Sequence, residues 1–431
     1  MNIYIESYGC SANLSNSEII AGLLEKQGNI IVKDIKLAEV AVLNTCIVKG
    51  PTFNRMIERL KLLSKKKYII VSGCMSNVYT KKIIETVKES NKKCLLGLVS
   101  VNSIKDTINV LNNLKQGKET LIISDKKSEN ICLDKISTEK IISIVQISEG
   151  CLGKCSYCAT KLAKGNLFSF EKEKIIKQIE NDLSQGAKEI WLTSQDCGAY
   201  GKEKGKYELV SLLKEISKIK GKFKVRLGMS NPQHVKYFID NLIEIFKNEK
   251  FFKFLHLPIQ SGSDKILKEM NRPYKVLEVE KIIEKFRSVF PDSVISTDII
   301  AGYPYETEKD FNETFDLIKK IQPEVLNISK YWPMQKTKGA LLKQIDDEVK
   351  KERATKLMNL HLKIIQEKNK LFFDKELKIL VDRDGFSNTM QARDENYRIV
   401  IINGGKDLLG KFLKVKIKKA MPHYLFGEIT K

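Results

Sequence analysis

Three cysteines fall within eight positions in SEGCLGKCSYCATK (148–161), the densest group of soft metal ligands in the chain. Cys151, Cys155 and Cys158 follow a C-x3-C-x2-C spacing. A structural zinc site usually takes four ligands in two close pairs, and the four histidines, His234, His256, His361 and His423, are all distant from this triplet in sequence. A ferredoxin-type run would add a fourth cysteine at C-x2-C-x2-C spacing, which is also missing. Three thiolates on a [4Fe-4S] cluster leave one iron without a protein ligand, and an open iron can bind a substrate or cofactor directly.

A second group of cysteines is dispersed. NIYIESYGC, EVAVLNTC and KYIIVSGC read as strands, with SNSEIIAGLLEKQGN as a capped helix ending near Gly28 and a further helix over 53–63. Alternating strands and helices predict a parallel sheet, whose strands all end along one edge. Cys10, Cys46 and Cys74 each stand just past a strand end, so they can meet in space. Cys94, at the start of CLLGLV, falls at the opposite edge and reads as core. Cys132 lies in a charged, irregular connection with no partner to name, and Cys197 takes no role.

Downstream, strand candidates at 141–148, 189–195, 224–230, 252–260, 293–304 and 325–333 alternate with helical patterns. Six such units predict an incomplete (β/α) barrel with its active site at the carboxyl ends of the strands. The cysteine triplet follows the first of them. A polar helix over 346–372, with Leu357, Leu360, Ile364 and Ile365 on one face, leads to the runs ELKILV, RIVII and KFLKVKIKK, which read as a small antiparallel β-barrel. The expected fold class is therefore α/β, in three domains at 1–125, 140–367 and 368–431.

The chain has 431 residues, 42% hydrophobic and 30% charged, enough for several well-buried cores. Its first residues lack the basic start and apolar run of a secretory signal, and no stretch has the length of a membrane span. A cytoplasmic protein with no membrane partner is expected. Nine cysteines, an odd number spread over such a chain, suit reduced thiols better than a disulfide framework. A lysine run such as Lys65, Lys66 and Lys67 reads as a solvated face, but a net charge of +22 favours a polyanion, nucleic acid first and an anionic membrane surface second. In KVKIK, Lys414, Lys416 and Lys418 share one strand face. That face suits an RNA backbone, with a solvated strand face as the lesser reading.

C-x3-C-x2-C with an aromatic, Tyr157, before the last cysteine resembles the radical S-adenosylmethionine enzymes. SYGCSANLSNSE, VLNTCIV, VSGCM, LTSQDCGAYG, RLGMSNP, HLPIQSGSDKILKEMNRPY and TDIIAGYPYETEKDF resemble the methylthiotransferase subfamily, and the terminal barrel is similar to its RNA-binding TRAM domain. The resemblance spans nearly the whole chain. CLGKCSYCATKLAKG and the TSQD variant look most like the archaeal and eukaryotic branch, which adds a methylthio group to carbon 2 of N6-threonylcarbamoyladenosine at position 37 of tRNA. YWPMQKTKGA departs from a more proline-rich stretch of the family, and MPHYLFGE is only loosely like its closing strand.

The resemblance implies two [4Fe-4S] clusters and S-adenosylmethionine. Cys151, Cys155 and Cys158 would hold the radical-generating cluster, and Cys10, Cys46 and Cys74 an auxiliary cluster that presents sulfur. Ser194 and Gln195 match the positions that contact the amino group of the cofactor. Arg226 is a candidate for its carboxylate, or else an ordinary strand arginine paired with an acid. Gln260 and Ser261, in a QSGS turn, would let backbone approach the ribose or substrate, or simply form a strand-to-helix turn. Ile300, with Gly302 and Pro304, resembles the adenine-side wall, and His256 is by default a core histidine. The implied partners are the tRNA anticodon stem-loop and an electron donor, with the protein a monomer. Alternatives are an isopentenyladenosine tRNA or ribosomal-protein methylthiotransferase, or a non-catalytic iron-sulfur RNA-binding protein.

Overall fold

Six parallel strands open the chain: β1 (Asn2–Ser7), β2 (Ile30–Val32), β3 (Val40–Thr45), β4 (Tyr68–Gly73), β5 (Leu95–Val99) and β6 (Thr120–Ile122). The computed structural model describes residues 1–47, 50–66 and 68–430, so Lys67 of the lysine run lies outside the described residues. The strand order is β2-β1-β3-β4-β5-β6. Both faces of β3 and β4 are buried, which is why VAVLNT and YIIVSG are nearly unbroken apolar runs. β1, β3 and β4 are neighbours, so the residues that follow them share one edge.

The helix after β1 differs from the sequence expectation. It spans Ser11–Lys26 and starts directly after Cys10, so Ser15, Asn16, Ser17 and Glu18 lie inside it, buried, rather than capping it. Their polarity serves tertiary contacts. Asn44 Nδ2 donates to Ser17 Oγ (2.8 Å), Gln146 Nε2 donates to Asn16 Oδ1 (2.6 Å), and Glu18 accepts from the backbone and hydroxyl of Thr138 (2.8 and 2.9 Å).

The central unit begins with β7 (Ile142–Gln146) and a short hairpin of β8 (Ser148–Glu149) with β9 (Phe168–Ser169). The hairpin was not legible in the sequence, since two-residue strands carry no period. It continues through β10 (Glu189–Thr193), β11 (Lys224–Leu227), β12 (Phe254–His256), β13 (Val294–Ala301) and β14 (Val325–Lys330). Two parallel sheets, β7-β10-β11 and β12-β13-β14, are joined by a parallel bridge between Val225 and Phe251 into an open arc. Alternate residues such as Ile190, Leu192, Val225 and Leu227 face the helices, where they pack with Leu212, Ile243, Phe246 and Phe286.

The helix Asp347–Lys370 packs on this unit. Its Arg353 Nη1 lies 2.7 Å from Glu306 Oε2, with both side chains nearly inaccessible. The same carboxylate accepts the Gly302 N–H (2.8 Å) and so fixes the turn after β13. A closed barrel ends the chain, formed by β15 (Glu376–Asp384), β16 (Thr389–Asp394), β17 (Ile399–Asn403), β18 (Phe412–Ala420) and β19 (Leu425–Ile429) in the order β15-β16-β17-β19-β18. It docks on the central unit through Tyr397, which packs against Phe252, Phe254 and Val294.

Removing one partner of a buried ion pair costs about 3–5 kcal/mol. Arg353→Met should therefore lower the urea midpoint strongly, and Arg353→Met combined with Glu306→Gln should recover much of the loss. An Arg353→Met midpoint equal to wild type would show that the pair does not hold this turn.

Candidate active site

The triplet loop is shaped by its glycines. Gly150 has φ of +82°, and a methyl there would fall 2.0 Å from the Asn166 carbonyl oxygen, so the hairpin closes only with glycine. The Gly153 N–H donates to Cys151 Sγ (3.2 Å). A methyl on Gly153 would lie 3.3 Å from Cys151 Sγ and 3.6 Å from Cys155 Sγ, so both sulfurs face the same piece of backbone. The Cys158 N–H donates to the Cys155 carbonyl (3.2 Å), completing a tight loop. Burial pushes the Cys151 thiol up to about 12, helped by the Asp196 charge, and also raises Cys158. Without metal these thiols stay protonated; iron would displace the protons on binding. The loop carries the thiol donor set for a cluster that keeps one iron open, although among the described residues no three such side chains form a preformed metal group.

Arg272, from the NRPY stretch, is a site residue that sequence reasoning missed. Its Nη1 is 3.5 Å from Cys155 Sγ, Nη2 donates to the Pro258 carbonyl (2.8 Å), and Nε donates to the Tyr274 hydroxyl (2.9 Å). This places a fixed cation beside Cys155. An arginine directed at a sulfur instead of a carboxylate carries no spacing signal.

The structure brings Tyr157 and Ile300 together, packed against Ile266, Met270, Tyr303 and Tyr331. The Gln195 side chain accepts the Gly150 N–H (2.6 Å), linking the loop after β10 to the triplet loop. Ser194 Oγ accepts from the Asp196 N–H (3.0 Å) and so closes its own turn. Gln260 has φ of +78°, and its backbone accepts from Ile300 and donates to Asp298. Ser261 Oγ accepts from the Ser263 N–H (3.2 Å). His256 is a satisfied histidine: Nε2 lies 2.8 Å from Asp298 Oδ2, and Asp298 also accepts from Asn327.

Arg226 has different partners from those expected. Its guanidinium carbon sits 5.1–5.4 Å from the ring centroids of Trp191, Phe254 and Tyr397, a cage closed by the C-terminal barrel. Cys94 and Cys197 are buried, as core thiols. Cys132 is exposed and does have partners: its N–H donates to Gln178 Oε1 (2.8 Å) and its thiol to the Lys174 carbonyl (3.4 Å).

Cys10, Cys46 and Cys74 follow β1, β3 and β4. A methyl on Gly9 would fall 2.9 Å from Cys46 Sγ, which puts Cys46 against the loop that carries Cys10. Asn13 Nδ2 donates to the Tyr8 and Thr45 carbonyls (2.9 and 2.8 Å), and Thr45 Oγ1 accepts the Met75 N–H (3.1 Å), so the three loops are laced together. Burial pushes Cys74 up to about 12, against the nearby Lys164 charge.

The two cysteine sets flank one short helix, Thr160–Lys164. Its Ala163, with the preceding Ala159, packs in the same apolar cluster as Cys46, Cys74 and Met75. Lys164 Nζ lies 3.0 Å from Glu149 Oε1, with each side chain 1% exposed. Burial disfavours the Lys164 charge, but the Glu149 carboxylate outweighs it and raises the pKa.

The whole chain has counterparts. The Radical SAM superfamily profile matches residues 145–318, Uncharacterized protein family UPF0004 matches 2–97, and the TRAM domain matches 374–430. The "Probable threonylcarbamoyladenosine tRNA methylthiotransferase" of Pyrococcus horikoshii is 39% identical over 435 residues, covering 100% of this chain and 99% of the relative. That of Archaeoglobus fulgidus is 40% identical over 431 residues, with the same coverage. This chain belongs to the threonylcarbamoyladenosine tRNA methylthiotransferase family. Among solved structures, the radical S-adenosylmethionine methyltransferase TsrM from Kitasatospora setae, with cobalamin and [4Fe-4S] cluster bound, aligns with a TM-score of 0.56 at 11% identity, over 78% of this chain and 76% of that one. At that identity the likeness is one of fold. As a family member the chain is a radical S-adenosylmethionine enzyme, and S-adenosylmethionine and a [4Fe-4S] cluster are its cofactors.

Beside the site, burial pushes Asp196 up to about 6 and His234 down to about 4, with Asp196 Oδ2 3.5 Å from His234 Nε2. Between about pH 4 and 6 the native state holds an extra proton on Asp196, so that term weakens the fold as pH rises. Over the same window the unfolded state holds the extra proton on His234, so that term strengthens it. In wild type the two oppose each other. Asp196→Asn should unmask the histidine and give a steeper rise in urea stability from pH 4 to 6.5; a slope unchanged from wild type would refute the opposition.

Proposed function

We propose that this protein adds a methylthio group to carbon 2 of N6-threonylcarbamoyladenosine at position 37 of tRNA, in the anticodon stem-loop. One observation carries the proposal: Cys46 and Cys74 pack in one cluster with Ala163 of the helix that follows the radical S-adenosylmethionine triplet and with the preceding Ala159, and the loop that carries Cys10 lies against Cys46. S-adenosylmethionine on a reduced [4Fe-4S] cluster held by Cys151, Cys155 and Cys158 supplies the oxidising power to activate a carbon–hydrogen bond, and a second [4Fe-4S] cluster on Cys10, Cys46 and Cys74 supplies sulfur.

The protein's own part is placement. Gln195 ties the loop after β10 to the triplet, and Tyr157 with Ile300 gives the cofactor an apolar wall. The backbone of Gln260 and the Ser261 hydroxyl hold the facing turn. Arg272 sets positive charge beside Cys155, offsetting the anionic character of a thiolate-bound cluster. The Arg226 guanidinium packs among Trp191, Phe254 and Tyr397 and in this reading serves the docking of the C-terminal barrel. The enzyme acts as a cytoplasmic monomer, with an external one-electron donor as partner, and no helix in it is long and apolar enough to cross a membrane among the described residues.

The test is mass spectrometry of nucleosides from tRNA carrying threonylcarbamoyladenosine, treated anaerobically with reconstituted protein, reductant and S-adenosylmethionine. A nucleoside heavier by one methylthio group is expected. Cys10→Ala should abolish that product while 5′-deoxyadenosine still forms; an active Cys10→Ala protein would sink the auxiliary assignment. With wild type, 5′-deoxyadenosine without the product would move the search to isopentenyladenosine or a ribosomal protein, and neither product would favour a non-catalytic RNA-binding protein.

For the RNA, Val415 and Ile417 point into the C-terminal barrel core, leaving Lys414 exposed and Lys418 partly so, whereas Lys416 Nζ is 2.9 Å from Asp374. Lys414→Ala and Lys418→Ala should each weaken tRNA binding and reduce the salt slope by about 1, with Lys416→Ala changing it less. Equal slopes in all three variants would remove this strand from the interface.

A further inference from the structure

The segment that follows β14 crosses both cysteine sets. Tyr331 donates its backbone N–H to Ala301 and packs in the cluster that holds Tyr157 and Ile300. Met334 packs in the cluster that holds Cys46 and Cys74. The Gly339 N–H donates to the Ser156 carbonyl (2.8 Å), next to Cys155, and Lys336 Nζ donates to the Val78 carbonyl (2.9 Å), in the helix that starts at Cys74. Tyr331, Met334, Thr337 and Gly339 are buried, and the segment is tied down at each.

Trp332 stands between these anchors, and its indole is 45% exposed. One face lies on the backbone of Gly50, where a methyl would fall 2.1 Å from a ring carbon. A tryptophan so placed costs apolar exposure, yet the segment is otherwise well packed. The exposed residues around it are Lys330, Gln335, Lys336 and Lys338, and no acidic residue occurs between Glu324 and Asp346. A half-open aromatic ring set among lysines is the chemistry of a nucleobase platform: the ring stacks a base and the Lys330 and Lys338 ammonium groups meet phosphate, Lys336 being held by Val78.

We propose that Trp332 is the surface on which a base of the anticodon loop stacks, at the seam between the radical triplet and the auxiliary cysteines. The inference rests on the tRNA reading above and adds the residue that seats the RNA. Gly50 keeps the indole flat and pre-placed, so little freedom is lost when a base binds.

Trp332 and Trp191 are the only two tryptophans in the chain, so Trp191→Phe makes Trp332 the sole indole reporter. In the reconstituted Trp191→Phe protein, tRNA carrying threonylcarbamoyladenosine should quench the emission, with a midpoint matching filter binding. In the otherwise wild-type holoenzyme, Trp332→Ala should raise KM for that tRNA about 10- to 100-fold, in line with the loss of one base–aromatic stack, and Trp332→Phe should restore most of it. Cleavage of S-adenosylmethionine without tRNA should stay at the wild-type rate in Trp332→Ala, which a collapsed seam would not allow. Two results overturn the inference alone: tRNA bound with the emission unmoved, or a Trp332→Ala KM within twofold of wild type. Failure of the wild-type holoenzyme to bind the tRNA overturns the functional reading and this inference together.

Discussion

A lysine and a glutamate buried together hold the two halves of the site in register. Glu149 belongs to the hairpin that opens the triplet loop, and Lys164 ends the short helix that closes it, so their 3.0 Å contact fastens both ends of the loop. With each side chain 1% exposed, neither charge has water to fall back on. The pair also places one fixed positive charge close to Cys74 and Cys10. In the proposed reading, an auxiliary cluster bound by three thiolates would be anionic and a cation held there would favour its assembly, while Glu149 keeps the ammonium from being a lone buried charge.

The separation of the two sets is stiffened further by polar contacts across the domain boundary. Gln146, at the end of the first barrel strand, donates to Asn16 in the helix after Cys10, and Ser11 and Thr193 share a hydroxyl–hydroxyl bond of 2.8 Å. Glu18 fixes the connecting segment at Thr138. These bonds are directional and at least partly buried, so they fix orientation as well as distance.

The C-terminal barrel is attached in the same manner. Burial and the Asp382 charge push Glu189 up to about 7, against the pull of the Trp191 indole, Arg393 and Arg226. Asp382 lies 3.3 Å from Arg393, and the Arg393 guanidinium sits 4.3 Å from the Tyr397 ring centroid. An RNA-binding module joined through such a network holds a set orientation towards the barrel, and its Tyr397 supplies one of the three rings around Arg226.

The sequence by itself determined the ligand-rich loop, the strand-end positions of Cys10, Cys46 and Cys74, the parallel sheet, the barrel arc and the inward Val415 and Ile417. All of these follow from spacing or from a local period set by backbone geometry. Tertiary structure alone decided the rest. The helix after Cys10 begins earlier than its polar residues suggest, because Asn16, Ser17 and Glu18 answer partners far away in the chain. The two-residue hairpin, Arg272 at Cys155, the Lys164–Glu149 pair and the cage around Arg226 join residues with no shared period. A buried polar side chain is chosen for the group opposite it, and a linear pattern does not contain that group.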